Sequence, residues 1–150
     1  MKGQVSTELL IIVALVLLIF IPLLVLVYFK ANEANQQIAS YQAELAVFRV
    51  AYLANSIGSL GTNTSVTTDV YVPKSIKNFS VKNAGNGAEI SMNVDTPDGP
   101  SDIVEVIKYP TYEAKEIILA DESNAGGWMR ITVSSHYDLG KASISFEKQK

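Results

Sequence analysis

Apolar and polar positions follow three successive rules along the chain. From Leu9 to Phe29 there are 21 uncharged residues, LLIIVALVLLIFIPLLVLVYF, with no polar face at any period. At about 1.5 Å per residue such a helix spans roughly 32 Å, the thickness of a bilayer's hydrocarbon core. A surface helix of a soluble protein would keep a polar stripe, and about 18 apolar residues in a row already suffice for membrane insertion. A secretory h-region would be shorter, about 7 to 15 residues, and followed by a small-residue cleavage pattern that is missing after Phe29. Tyr28, Phe29 and Lys30 read as an interfacial end.

From Lys30 onward the grammar is that of an amphipathic helix. Ile38, Tyr41, Leu45, Phe48 and Tyr52 recur at spacings of three and four in a segment rich in Ala, Gln, Glu and Leu. One continuous helix from about Val5 to Ile57 is expected, roughly 80 Å long, with a local bend at Pro22. Ser6 or Thr7 would cap it, and Glu8 would sit in its first turn, where a negative charge suits the helix dipole. The same Glu8 adjoins the apolar run, where ionisable residues are costly and usually serve a function.

Beyond the polar stretch Gly58 to Thr68 the period becomes two, as in half-buried strands. Ile90, Met92 and Val94 alternate with Glu89, Ser91 and Asn93, and Met129, Ile131 and Val133 alternate with Trp128, Arg130 and Thr132. Ala142, Ile144 and Phe146 form a third series. Further strands are expected at Asp69 to Val72, Ile76 to Lys82, Ile103 to Tyr109 and Lys115 to Leu119. Turn signals stand between them at Asn83 to Gly87, Pro97 to Pro100, Asn124 to Gly127 and Asp138 to Gly140. The expected fold is α+β: a long N-terminal helix packed on a small antiparallel, sandwich-like β-rich head. The stripe from Ile38 to Tyr52 is expected to face that head and complete its core.

Composition narrows the functions. The 150 residues carry 12 Lys plus Arg against 15 Asp plus Glu, a net charge of −3, so no basic excess is present to neutralise nucleic acid. The absence of cysteine removes thiol catalysis and thiolate metal sites, and the single histidine, His136, leaves no usual zinc set or catalytic triad. Ser134, Ser135 and His136 are neighbours in a strand, where side chains alternate faces, and no oxyanion motif accompanies them. Asp95, Asp98, Gly99 and Asp102 form an acidic turn without the spacing of a calcium loop, and are read as a solvated turn. Tyr109 to Tyr112 reads as a strand end, with an exposed recognition patch as the alternative. No enzyme activity, metal or cofactor is expected.

The N-terminus then gives a resemblance. Met1, Lys2 and Gly3, followed by Gln4, Val5, Ser6, Thr7, Glu8 and the long apolar run, resemble the class III signal peptide of archaeal type IV pilins. The resemblance implies cleavage between Gly3 and Gln4 by a prepilin-type peptidase on the cytoplasmic face. Residues 1–3 would be the leader, 4–57 the helix (9–29 apolar, 30–57 amphipathic stalk) and 58–150 the head. Glu8 becomes the fifth mature residue, where pilins carry a glutamate, and with Pro22 it is assigned to assembly. The expected partners are further copies in a helical homopolymer, the assembly machinery, and the cytoplasmic membrane before assembly. The expected location is an adhesive surface filament. Asn63 (Asn63, Thr64, Ser65) and Asn78 (Asn78, Phe79, Ser80) are N-glycosylation sequons in the exported part. Two alternatives are a membrane-anchored monomeric binding or sensor ectodomain and a minor pilin at a filament tip.

Overall fold

The computed structural model describes residues 2–149 except Thr62, Pro97, Asp98, Ala114, Leu139 and Gly140, and only the backbone of residues 2–6, 138 and 149. Helix α1 spans Lys2–Leu60 and passes through Pro22 without a break in helical structure. Seven strands follow: β1 (Ser65–Val72), β2 (Ile76–Ala84), β3 (Gly87–Thr96), β4 (Gly99–Ile107), β5 (Ile117–Asp121), β6 (Gly127–Asp138) and β7 (Lys141–Gln149). They form a three-stranded sheet in the order β1-β6-β7 and a four-stranded sheet in the order β4-β3-β2-β5, all antiparallel. The fold is therefore α+β, with the helix packed on two antiparallel sheets.

The alternation is clearest in β3, whereas β2 buries Phe79, Ser80 and Val81 in succession where it passes its bulges. Ala88, Ile90, Met92 and Val94 of β3 are fully buried, while Glu89, Ser91 and Asn93 between them point to the other face. Ile131 and Val133 of β6 and Ile144 of β7 do the same from the second sheet. The sheets are stitched where Thr111 bridges Ile144. The Tyr112 amide donates to the Ile144 carbonyl at 2.8 Å and the Ile144 amide to the Pro110 carbonyl at 2.9 Å. The strand end expected at Tyr109 to Tyr112 is thus a connection that ties β4 to β7.

The chain divides into two compact units, one up to Gln36 and one from Gln37 to Lys150, so the last turns of α1 belong with the strands. Their buried face differs from the expected one. Ala43, Val47, Val50, Ala54 and Ile57, with Ala46 and Ala51, join the core at 0–3 % exposure. Ile38, Tyr41, Leu45, Phe48 and Tyr52 are 53–69 % exposed. Both rows recur at three and four residues, and the small one packs because Ala and Val let the helix axis approach the sheets closely. Burying Val47, Val50 and Ile57 stabilises the head by about 1.5–3 kcal/mol each.

The helix end is set by glycine in an unexpected way. Gly58 lies inside α1, where a Cβ would collide with the ring of Tyr109, so its role is close packing and not termination. Gly61, at φ 91°, takes the left-handed conformation that ends a helix at almost no steric cost. At the other end α1 reaches back to Lys2, and no acidic residue lies in its first turn. Glu8 is accordingly a second-turn residue and Thr7 lies within the helix rather than capping it. Nothing in Val5 to Glu8 breaks a helix, so the turn before Thr7 forms too. The dipole explanation of Glu8 weakens, because that effect decays within the first turn.

Candidate functional site

Two apolar surfaces on α1 are the outstanding chemical features. In the first unit, the large side chains from Leu9 to Phe29 are 48–73 % exposed on every side of the helix, Leu18 most of all. Length and composition suffice to cross or anchor in a membrane. Glu8 and Pro22 are exposed on this segment. The backbones of Gly3 and Gln4 are helical, and the Gln4 side chain lies outside what the structure describes. At its distal end Lys30 donates to Glu33 at 2.7 Å, an exposed i,i+3 pair that marks the return to polar surroundings.

In the second unit, the row Ile38, Tyr41, Leu45, Phe48 and Tyr52 forms a ridge, with Phe48 and Tyr52 stacked at a centroid separation of 6.4 Å. One groove beside it is lined by Tyr41, Glu44, Leu45, Phe48 and Glu105 of β4. The groove on the opposite flank is lined by Gln42, Leu45, Ala46, Arg49, Val70, Tyr71 and Trp128. Leu45 borders both. Trp128 is 73 % exposed and meets Tyr71 edge-on at 5.6 Å. The periodicity of the ridge was visible in the sequence, but not that it points outward. Trp128, Arg49 and Glu105 gave no signal of joining it, because pairing across the fold places them there.

Strand β4 is an edge whose unpaired backbone would invite another strand. Asn55 of α1 covers part of it. Its amide accepts from the Lys108 amide at 2.8 Å and donates to the Val106 carbonyl at 3.3 Å. Glu105, paired across from the buried Ile90, places a charge on the inward side of the edge, which opposes strand addition there.

Most of the remaining sequence candidates have structural partners. Asn63 is exposed in a turn at φ 49° just after the helix, whereas Asn78 is half-buried at a bulge in β2, its amide 3.4 Å from the Ser80 hydroxyl. Ser80 is itself buried and donates to Glu116 at 2.6 Å. Asp95 pairs with Lys77 at 2.9 Å and Asp102 accepts from Asn93 at 2.6 Å. Asp98 lies outside the described residues, and no group of three acidic or histidine side chains suited to a metal occurs among the described ones. Ser135 is buried and donates to the Gly61 carbonyl at 2.8 Å, pinning the helix exit. The His136 Nε2 lies 2.9 Å from the Ser145 hydroxyl, and the ring leans on Tyr112.

Asp69, next in sequence to the groove residue Val70, pairs with Arg130 at 2.8 and 3.2 Å. Arg130's hydrogen bond holds the Asp69 carboxyl below its usual range, and the charges of Arg130 and Arg49 add to this. Compared with known proteins, the chain matches no family model, no curated protein and no solved structure.

Proposed function

We infer that this chain is the structural subunit of an archaeal type IV pilus, polymerising through its N-terminal helix into an adhesive surface filament. The observation that carries the reading is the apolar run Leu9 to Phe29, exposed on every face of a helix that continues into a folded β-rich head. Such a run needs lipid or other apolar helices around it. A membrane supplies the first before assembly and a bundle of identical helices the second afterwards. Head-to-tail contacts that do not close produce an open helical polymer.

The resemblance of Met1 to Glu8 to a class III signal supports the same reading and locates processing between Gly3 and Gln4. Removal of the leader frees an α-amino group close to Glu8. A carboxylate drawn into a dry bundle costs at least several kcal/mol unless it finds a partner or a proton. That amino group, or the one on a neighbouring copy, is the partner, and the pair sets the axial register between helices. Cyclisation of Gln4 would remove the amine and leave hydroxyl or backbone donors to bond Glu8. The head has a surface role without catalysis, and Asn63, exposed in its loop, is the better placed of the two glycan acceptors.

Mass spectrometry of the surface form tests the reading. The expected chain lacks Met1, Lys2 and Gly3 only and keeps Leu9 to Phe29. A surface chain cut after Phe29, or an uncut chain confined to the membrane as a monomer, overturns it.

A further inference from the structure

We propose that the ridge Ile38, Tyr41, Leu45, Phe48 and Tyr52, with Trp128 beside it, is a second contact surface between copies of this chain, the Glu44 and Glu105 flank of one copy meeting the Arg49 flank of the next in a head-to-tail manner. The proposal rests on the polymer reading above and names which face of the second half of α1 takes part.

The first ground is an inversion of size. Where α1 meets its own strands it offers Ala43, Ala46, Ala51 and Ala54, and where it meets solvent it offers Tyr41, Leu45, Phe48 and Tyr52. A helix that only had to cover its own head would place the large residues inward. The exposed side chains of the ridge and Trp128 amount to on the order of 800 Å², what one partner contributes to a standard interface and more than typical monomers leave in one patch. The spacing of three and four is that of a seam which another helix can fill.

The second ground is the charge on either side of the crest. Glu44 and Glu105 line one flank with Tyr41, Leu45 and Phe48, and Arg49 lines the other with Gln42, Leu45 and Trp128. Copies arranged side by side in the same sense bring the acidic flank of one against the Arg49 flank of the next. Self-complementarity of this kind repeats without closing, as a polymer requires. A lipid surface fits poorly, because it would strip water from Glu44 and Glu105 without offering a partner.

The third ground is proximity. Ile38 follows Phe29 by nine residues, so copies gathered by their apolar runs hold their ridges at an effective concentration that short tethers raise to about millimolar.

The test uses the full chain in its native membranes and surface fraction, with a photoreactive phenylalanine analogue replacing Phe48. Irradiation is expected to join position 48 to a second copy of this chain. Arg49→Glu should lower that yield by at least about tenfold, and adding Glu44→Arg with Glu105→Arg should restore it to within about twofold. All three positions are exposed, so circular dichroism should stay that of the parent chain. Adducts only to lipid or to another protein, in material whose N-terminus is trimmed and whose polymer sediments normally, overturn the proposal and leave the polymer reading intact. A yield indifferent to charge reversal overturns the head-to-tail arrangement. Adducts to a second copy in untrimmed chains that form no polymer support the surface and overturn the polymer reading.

Discussion

The two stretches of α1 on either side of Gln36 expose apolar surface for different reasons. From Leu9 to Phe29 no face is spared, and none of the large side chains is buried among the described residues. From Gln37 to Leu60 one face is sealed into a core and only the opposite one carries large exposed side chains. The first stretch calls for apolar surroundings on all sides, as lipid or a helix bundle gives. The second calls for cover on one side, as a neighbouring protein surface gives. One helix is thereby divided into a part whose environment can be exchanged whole and a part committed to its own head.

A charge placed on either face of the second stretch should have very different effects. Val50→Asp buries an unpaired carboxylate among residues at 0 % exposure and should cost at least several kcal/mol, enough to unfold the head. Phe48→Asp, two residues earlier on the open face, should change stability by about 0.5 kcal/mol or less. Denaturant melts followed by tryptophan fluorescence read both, through Trp128. Equal losses would mean that the ridge and the core row have been assigned to the wrong faces.

Next in size is Glu8→Ala. The variant should insert and be trimmed normally but enter polymers of unaltered subunits several-fold less well, because it cannot pair with the freed α-amino group. A tagged copy, co-expressed and counted in membrane and polymer fractions, gives the ratio. Equal entry into both would make Glu8 an ordinary helix residue.

These residues also indicate how far the sequence could be read. Strands such as β3 were legible because a sheet with one buried face imposes alternation, which Ile90, Met92 and Val94 obey, while β2 and β5 were set off by the turn residues around them. Strand ends were less so. β6 continues to Asp138 through Ser134, Ser135 and His136, whose pairing with β7 no hydrophobic pattern announces. The helix face was misread because two rows share one period, and residue size alone favours the larger one. Contact with two sheets selects the smaller. The grooves beside Leu45 were illegible, since Glu105 and Trp128 reach them only through tertiary pairing.

A smaller effect is expected at the junction between helix and strands. Gly61→Ala forces a side chain into the left-handed region and should cost about 1 kcal/mol, seen as a lower denaturation midpoint at unchanged slope. Gly58→Ala should cost more, since its Cβ would enter the Tyr109 ring. If the two variants are equally mild, the contact between α1 and Tyr109 is looser than described.

The smallest effect concerns acid. Asp69 is held below its ordinary range by Arg130, so the pair's stabilisation is present above the unfolded carboxyl's pKa and fades as pH falls through the folded one. The pair is exposed, so this part of the acid response should be slight and should vanish in concentrated salt or in Asp69→Asn. An acid midpoint unaffected by Asp69→Asn would remove the pair from the account.

If this chain polymerises as proposed, identical apolar runs surround one another once it leaves the membrane. Electron cryomicroscopy of surface-harvested material should then show a helical polymer whose axis is a bundle of Leu9 to Phe29 helices, freed of bilayer, with the β-rich heads outside. Heads found on a polymer whose axis lacks these helices, or chains found only singly in membrane, would contradict it.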